Sequence, residues 1–389
     1  MLIKEILEHE DEMIAIRQDF HAHPELGFEE YRTSEIIAEL LQKWGYQVER
    51  GIGKTGVVGT LTQGNGRKRL GIRADMDALP MQELTGAEYA SKYPGKMHAC
   101  GHDGHCAILL SAAKYLAETR HFSGTLHVIF QPSEESIGGA RVMIEEGLFQ
   151  RFPCDAIFGL HNYPLYPAGQ FFSKPGALMA SSDSFTVTLT GRGGHGSAPE
   201  HCIDPLPCAA NIVLALQTIV SRNIDPQTPA VVTVGSLQAG TTHNIIPDSV
   251  VMKINTRSFC SVTRDNIEKK IRHIVSSQAE SYQLTATLSK VFGYPATIND
   301  PIQTAFALDI ARETVGEQCV GDPEKFKPLM GSEDFSFMLQ EVPGCYLMLG
   351  TGRAEGENYS VHHPRYQFND ECISVGASYW ANLTESFLA

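Results

Sequence analysis

Thr125–Glu135 reads T-L-H-V-I-F-Q-P-S-E-E, and it decides the fold of this chain. The run from Thr125 to Gln131 is mostly apolar or β-branched with little alternation, the mark of a strand covered on both faces. Pro132 closes it, and Glu134 and Glu135 follow at once. Two other runs repeat the plan. Lys68–Ala74 leads into Asp75 and Asp77, and Ala156–Leu160 leads into His161 and Asn162. Buried strands that each stop at a possible metal ligand or acid–base group describe an α/β sheet with its chemistry along one carboxyl edge.

Met97–His105, M-H-A-C-G-H-D-G-H, adds the densest group of donors. Cys100 and His102 are one residue apart in a glycine-containing turn, and the apolar run Cys106–Thr119 behind it has helical spacing. Thiol and imidazole so placed suit a metal ion. The same spacing poorly suits a cysteine nucleophile with a histidine base.

The rest of the chain frames these strands. Residues 2–19 and Thr33–Trp44 read as helices, and Val48–Thr62 and Lys68–Ala74 as strands joined by a turn at Gln63–Gly66. After Ser181 the texture changes. Strands at Ser184–Thr190, Ala230–Leu237, Ser249–Ser258 and Leu284–Val291 alternate with helices at Pro205–Val220 and Thr263–Glu280. That order is β-α-β-β-α-β, a split βαβ sandwich. We expect an α/β protein with a mixed central sheet flanked by helices. Its first domain, residues 1–182 and 293–389, is interrupted by an inserted ferredoxin-like domain at 183–292.

Composition narrows the function classes. A length of 389 residues suits about two domains. A net charge of −14 argues against a nucleic-acid partner. No apolar stretch approaches the ~20 residues that cross a bilayer, so no membrane partner is expected. The N-terminus, M-L-I-K-E-I-L-E-H-E-D-E, is acidic and amphipathic, unlike a signal peptide. Nine scattered cysteines fit reduced thiols in a cytoplasm.

Eight motifs then stand in order: R-A-D-M-D-A-L-P from Arg73, M-H-A-C-G-H-D-G-H from Met97, Q-P-S-E-E from Gln131, G-L-H from Gly159, G-R-G-G-H-G-S-A-P from Gly191, H-N-I-I-P-D from His243, G-S-E-D-F from Gly331 and H-H-P-R-Y from His362. This set resembles the binuclear metallo-amidohydrolases, the family of aminoacylases, carboxypeptidase G and hippurate hydrolase. The branch of hippurate hydrolases, N-acyl-amino-acid amidohydrolases and plant auxin-conjugate hydrolases is nearest. The resemblance implies a zinc-exopeptidase-like catalytic domain and an inserted lid and dimerisation domain. It implies metal ligands at Cys100, His102, Glu135, His161 and His362, holding two divalent ions, zinc or manganese, with cobalt or nickel as further options.

In the same reading Cys100 is favoured over Glu135 as the bridge between ions, and Glu134 is the general base and acid. His195, reaching the site of a partner subunit, stabilises the oxyanion. Asn244 and Arg257 bind the substrate carboxylate, and Asp77 and Asp103 hold imidazoles or backbone in place. Glu333 and Phe335 line the pocket wall, and His98 and His105 are structural. Aligning on Pro364 selects His362 over His363. Asp75 stands where other branches carry a histidine ligand, and is left off the ligand set. The implied reaction is hydrolysis of a small N-acyl-L-amino acid, hippurate-like or N-acetylated, by a cytoplasmic homo-oligomer, dimer or tetramer, assembled through the inserted domain. The alternatives are an N-acetyl-diaminopimelate deacetylase or dipeptidase of the same family and, from another class, a non-catalytic protein with a structural metal.

Overall fold

The computed structural model describes residues 2–389. The chain forms two compact units: residues 2–178 with Ile298–Lys327 and Asp334–Ala389, and Met179–Thr297 with Pro328–Glu333. In chain order the first unit supplies strands β1 (Gln47–Ile52), β2 (Gly56–Gln63), β3 (Arg69–Asp75), β4 (Gly124–Gln131), β5 (Ala156–Pro167) and β6 (Phe171–Phe172). The second supplies β7 (Ser181–Thr190), β8 (Ala230–Ala239), β9 (Ser249–Ser258) and β10 (Thr285–Tyr294), and β11 (Gly344–Gly352) returns to the first. The main helices are α1 (Glu10–Ala22), α2 (Tyr31–Lys43), α3 (His102–Thr119), α4 (Pro205–Asn223), α5 (Ser261–Ser281), α6 (Pro301–Val315) and α7 (Glu371–Phe387).

The first unit is built on a seven-stranded sheet in the order β1-β2-β4-β3-β5-β11-β6. Its middle, β4, β3, β5 and β11, is parallel, and the outer strands are antiparallel. Leu126, Val128, Ile129 and Phe130 of β4 are all fully buried, so both faces of the strand are covered. Helix α3 packs beside α7 and α1. The approach is close: a Cβ at Gly376 of α7 would lie 2.8 Å from Ile108 of α3.

The second unit holds a four-stranded antiparallel sheet, β8-β9-β7-β10. Burial alternates strictly along β7, so one face meets the core. There Val187, Leu189 and Met252 pack with Ile212 and Leu216 of α4 and Ile267 and Ile271 of α5.

Several boundaries differ from the sequence reading. Val48–Thr62 is not one strand: it folds back between Ile52 and Gly56, where Gly53 and Lys54 take positive φ. The first helix is broken into Lys4–Leu7 and α1, and α1 runs on through His21 to Ala22. Strand β5 continues past Leu160, so His161 and Asn162 lie within it. Helix α6 had a legible start: Asp300 Oδ1 accepts from Ile302 N and Gln303 N, both at 2.9 Å, with Pro301 at the first helical position. Pro328–Glu333 clusters with the second unit, which splits the G-S-E-D-F motif after Glu333. Among the described residues no helix is long and apolar enough to cross a membrane, and all nine cysteines are free thiols.

Candidate metal centre

Because β4, β3 and β5 run parallel, their carboxyl ends lie side by side: Asp75 is in register with Gln131, and Arg73 with Ile129 and Gly159. Among the described residues five sets of donors have ligand atoms within 4.8 Å of one another, and three of them overlap at this edge: Cys100, His102 and His161; Cys100, Glu135 and His362; and His102, Glu134 and Glu135. Each pair of sets shares a residue, so the three form one cluster.

Local backbone conformation aims these groups. Ser133 and His362 both sit in the left-handed region, at φ +56° and +66°, a cost that persists only where surroundings impose it. Ser133 is held by its N–H, which donates to Glu30 Oε1 at 2.8 Å. His362 is held by its N–H, which donates to Ala99 O at 2.8 Å and ties this loop to the Cys100 turn. The His362 ring, about half exposed, puts Nε2 2.9 Å from Glu135 Oε1. The ring of His363 instead stacks on Tyr359, centroids 4.3 Å apart.

His161 Nδ1 lies 2.7 Å from Asn162 O. A carbonyl only accepts, so Nδ1 carries the hydrogen and the Nε2 lone pair faces Cys100 Sγ at 3.4 Å. Burial, then the charge of His105, pushes His161 down to about 3, which keeps it neutral.

The electrostatics fit a cation. Burial opposes charge on His102, yet Asp75, Asp77 and Glu135 outweigh it and lift the ring to about 10. Its Nε2, buried and 3.6 Å from Asp75 Oδ2, has no hydrogen-bond partner among the described residues. Burial, then Glu135 and Glu134, drives the Cys100 thiol well above its ordinary range. Burial also works against the charge of Glu135, but the bond to His362 and the charge of His102 hold its carboxyl below the ordinary range. Protons thus sit where divalent cations would replace them. Thiolate, imidazole and carboxylate together exceed what one four-coordinate ion with an open position uses.

Around the donors stand groups that hold them. The Asp77 carboxylate accepts the N–H groups of Glu134 and Glu135 and lies 3.3 Å from His102 Nδ1. Asp103 turns to α1, taking His21 Nδ1 at 2.8 Å and Arg17 Nη1 at 3.3 Å. His105 Nδ1 is 2.6 Å from Asp75 Oδ1. Phe335 is fully buried, its ring 5.2 Å from that of Tyr346. Glu333 is buried as well.

Arg73 was missed in the sequence. Its buried guanidinium pairs with Asp75 at 2.7 Å and Asp334 at 3.0 Å and donates to Gln131 Oε1 at 2.7 Å. A basic residue inside the apolar run R-L-G-I-R-A was the available signal. Glu30 was missed too; burial, then the charge of Asp77, raises it to about 7.

In the second unit His195 pairs with Ile245 across a two-stranded ribbon. Gly196 N donates to Asn244 O at 2.8 Å, so His195 and Asn244 come together. Arg257 is half-buried on β9, donating to Asn255 Oδ1 and Ser332 Oγ, both at 3.0 Å.

Comparison with known proteins agrees with this architecture. Residues 71–386 match the model of peptidase family M20/M25/M40. The chain is 46% identical over 388 residues to a hippurate hydrolase of Campylobacter jejuni, covering 100% of this chain and 99% of that protein. It is 38% identical over 385 residues to IAA-amino acid hydrolase ILR1-like 4 of Arabidopsis thaliana, covering 97% and 86%. The solved structure of the Bacillus subtilis YXEP protein, described as a dinuclear metal binding peptidase, superposes with a TM-score of 0.82 at 33% identity, covering 98% and 99%. The family model covers most of the chain and the likeness to the hippurate hydrolase runs through its whole length, so the protein belongs to peptidase family M20/M25/M40.

Proposed function

We propose that the protein hydrolyses the amide bond of N-acyl amino acids at a centre for two divalent ions, held by Cys100, His102, Glu135, His161 and His362. The observation that carries this is the cluster of three overlapping donor sets, with a buried Glu134 among them whose N–H donates to Asp77. The likeness to hippurate hydrolase and to the auxin-conjugate hydrolase supports an acylated amino acid with a free carboxylate. Zinc or manganese suits the mixed donors.

When bound, such ions polarise a carbonyl and acidify water. The protein's own groups do the rest. Glu134 takes the proton from the attacking water and passes it to the leaving amine. Among the contacts that orient it, its N–H donates to Asp77 Oδ1 at 3.0 Å, and Asp334 N donates to Glu134 Oε1 at 3.4 Å. His195, reaching the site of a partner subunit, serves as donor to the developing oxyanion. Ser197 N donates to its Nδ1 at 3.1 Å, which leaves the ring hydrogen on Nε2. Arg257 and Asn244 bind the substrate carboxylate. We further propose that the chain self-associates through the second unit, whose outer strand β8 is paired on one side only among the described residues.

A panel of benzoyl and acetyl amino acids, with their carboxamides, tests the reading on metal-reconstituted protein. Release of free amino acid from the acids and much less from the carboxamides is expected. No release from any member overturns it.

A further inference from the structure

The turn between Cys100 and His102 is a single glycine. Gly101 has φ +93°, and a Cβ there would stand 2.6 Å from both Asn162 Oδ1 and the Tyr366 hydroxyl. So the backbone between two proposed ligands rests directly on two buried polar side chains. Those side chains are fixed in turn. Asn162 Nδ2 donates to the Tyr366 hydroxyl at 2.7 Å, and Asn162 Oδ1 lies 2.6 Å from His105 Nε2. His105 is anchored at its other nitrogen by Asp75. Asn162 and Tyr366 are both almost wholly buried, at 0% and 1% exposure.

Asn162 also acts on the far side of the cluster, because its carbonyl fixes the hydrogen on His161 Nδ1. One residue therefore touches two of the proposed ligand-bearing segments: its backbone sets the tautomer of His161, and its side chain is the floor under Cys100-Gly101-His102. We infer that Asn162, braced by Tyr366, is a positioning residue that holds the Cys100–His102 turn and His161 in one rigid arrangement for metal binding. This rests on the ligand set proposed above. Rigid support of this kind commonly sets affinity by about 10–100-fold.

The test uses the full chain, stripped of metal, with Asn162→Ala and Tyr366→Phe. The first keeps the backbone carbonyl and removes the floor; the second removes one hydroxyl and keeps the ring in the core. Zn2+ affinity is read by competition with a chromophoric chelator, and thiolate ligation by the near-ultraviolet thiolate-to-metal band of Co2+-loaded protein. Asn162→Ala is expected to bind Zn2+ about 10–100-fold more weakly with a diminished or shifted cobalt band, and Tyr366→Phe to change both in the same direction by less. Wild-type affinity and band in a folded Asn162→Ala variant overturn the inference. So does a variant whose metal-free melting point falls while ion binding stays unchanged, since that is a purely structural role. If Asn162→Ala does not fold, Tyr366→Phe decides by the same two readouts. A wild-type chain that binds neither ion overturns the ligand set itself, and the brace with it.

Discussion

Asp77 accepts the backbone N–H of Glu134 at 3.0 Å on the same oxygen that lies 3.3 Å from His102 Nδ1. Its other oxygen accepts the N–H of Glu135 at 2.9 Å. One buried carboxylate thus sets the orientation of the proposed base, a proposed carboxylate ligand and a proposed imidazole ligand. Asp77→Asn keeps the shape but puts a donor where an acceptor is needed. It should weaken Zn2+ binding by about 10–100-fold, measured by chelator competition. Unchanged affinity would remove Asp77 from this role.

Metal removal separates the proposed chemistry from thiol catalysis. Cys100 is buried, and its thiol is held well above its ordinary range by burial and by Glu135 and Glu134, so it is a poor nucleophile without metal. Dialysis against a chelator should abolish turnover, and zinc or manganese should restore it. Alkylation of the metal-loaded enzyme should modify exposed Cys260 and leave activity. Activity that survives the chelator and dies on alkylation would favour a cysteine nucleophile.

His21 carries a pH signature. It lies 2.8 Å from Asp103 and 3.3 Å from Glu83. Burial opposes its charge, but Asp103 and these bonds outweigh it and lift the ring from 6.5 to about 9. A raised folded-state value means the charged ring stabilises the fold fully below pH 6.5, and the contribution is lost as pH rises from 6.5 through about 9. A gap of that size corresponds to on the order of 3 kcal/mol. His21→Gln should therefore cost more stability at about pH 6 than at about pH 9.5 in urea unfolding. Equal losses at both values would contradict the pairing.

Arg73 is a structural keystone under the same edge. Removing its charge takes the guanidinium from two buried carboxylates, Asp75 and Asp334. Arg73→Met should cost about 3–5 kcal/mol in unfolding free energy. A loss under about 1 kcal/mol would mean the carboxylates are neutralised by other neighbours.

The strands that frame the site were legible because burial on both faces demands the apolar runs seen at β3, β4 and β5. The hairpin between β1 and β2 was not, since apolar residues continue on both sides of it and the bend depends on positive φ at Gly53 and Lys54. Helices α6 and α7 went unassigned, although Asp300-Pro301 signalled the first. The donors near strand ends could be read one by one. What holds them could not: Asn162 meets Tyr366, and Arg73 meets Asp334, across long sequence separations that no local pattern encodes.

The central claim is that Glu134 moves the proton while other residues hold the metal. Glu134→Gln keeps size and hydrogen-bonding shape but cannot take a proton. The decisive measurement is kcat on benzoylglycine together with metal content, for wild type and variant. The account predicts about two ions per chain in both and a kcat lower by about 10²–10⁴-fold in the variant. Near-normal turnover with the metal content intact would contradict it.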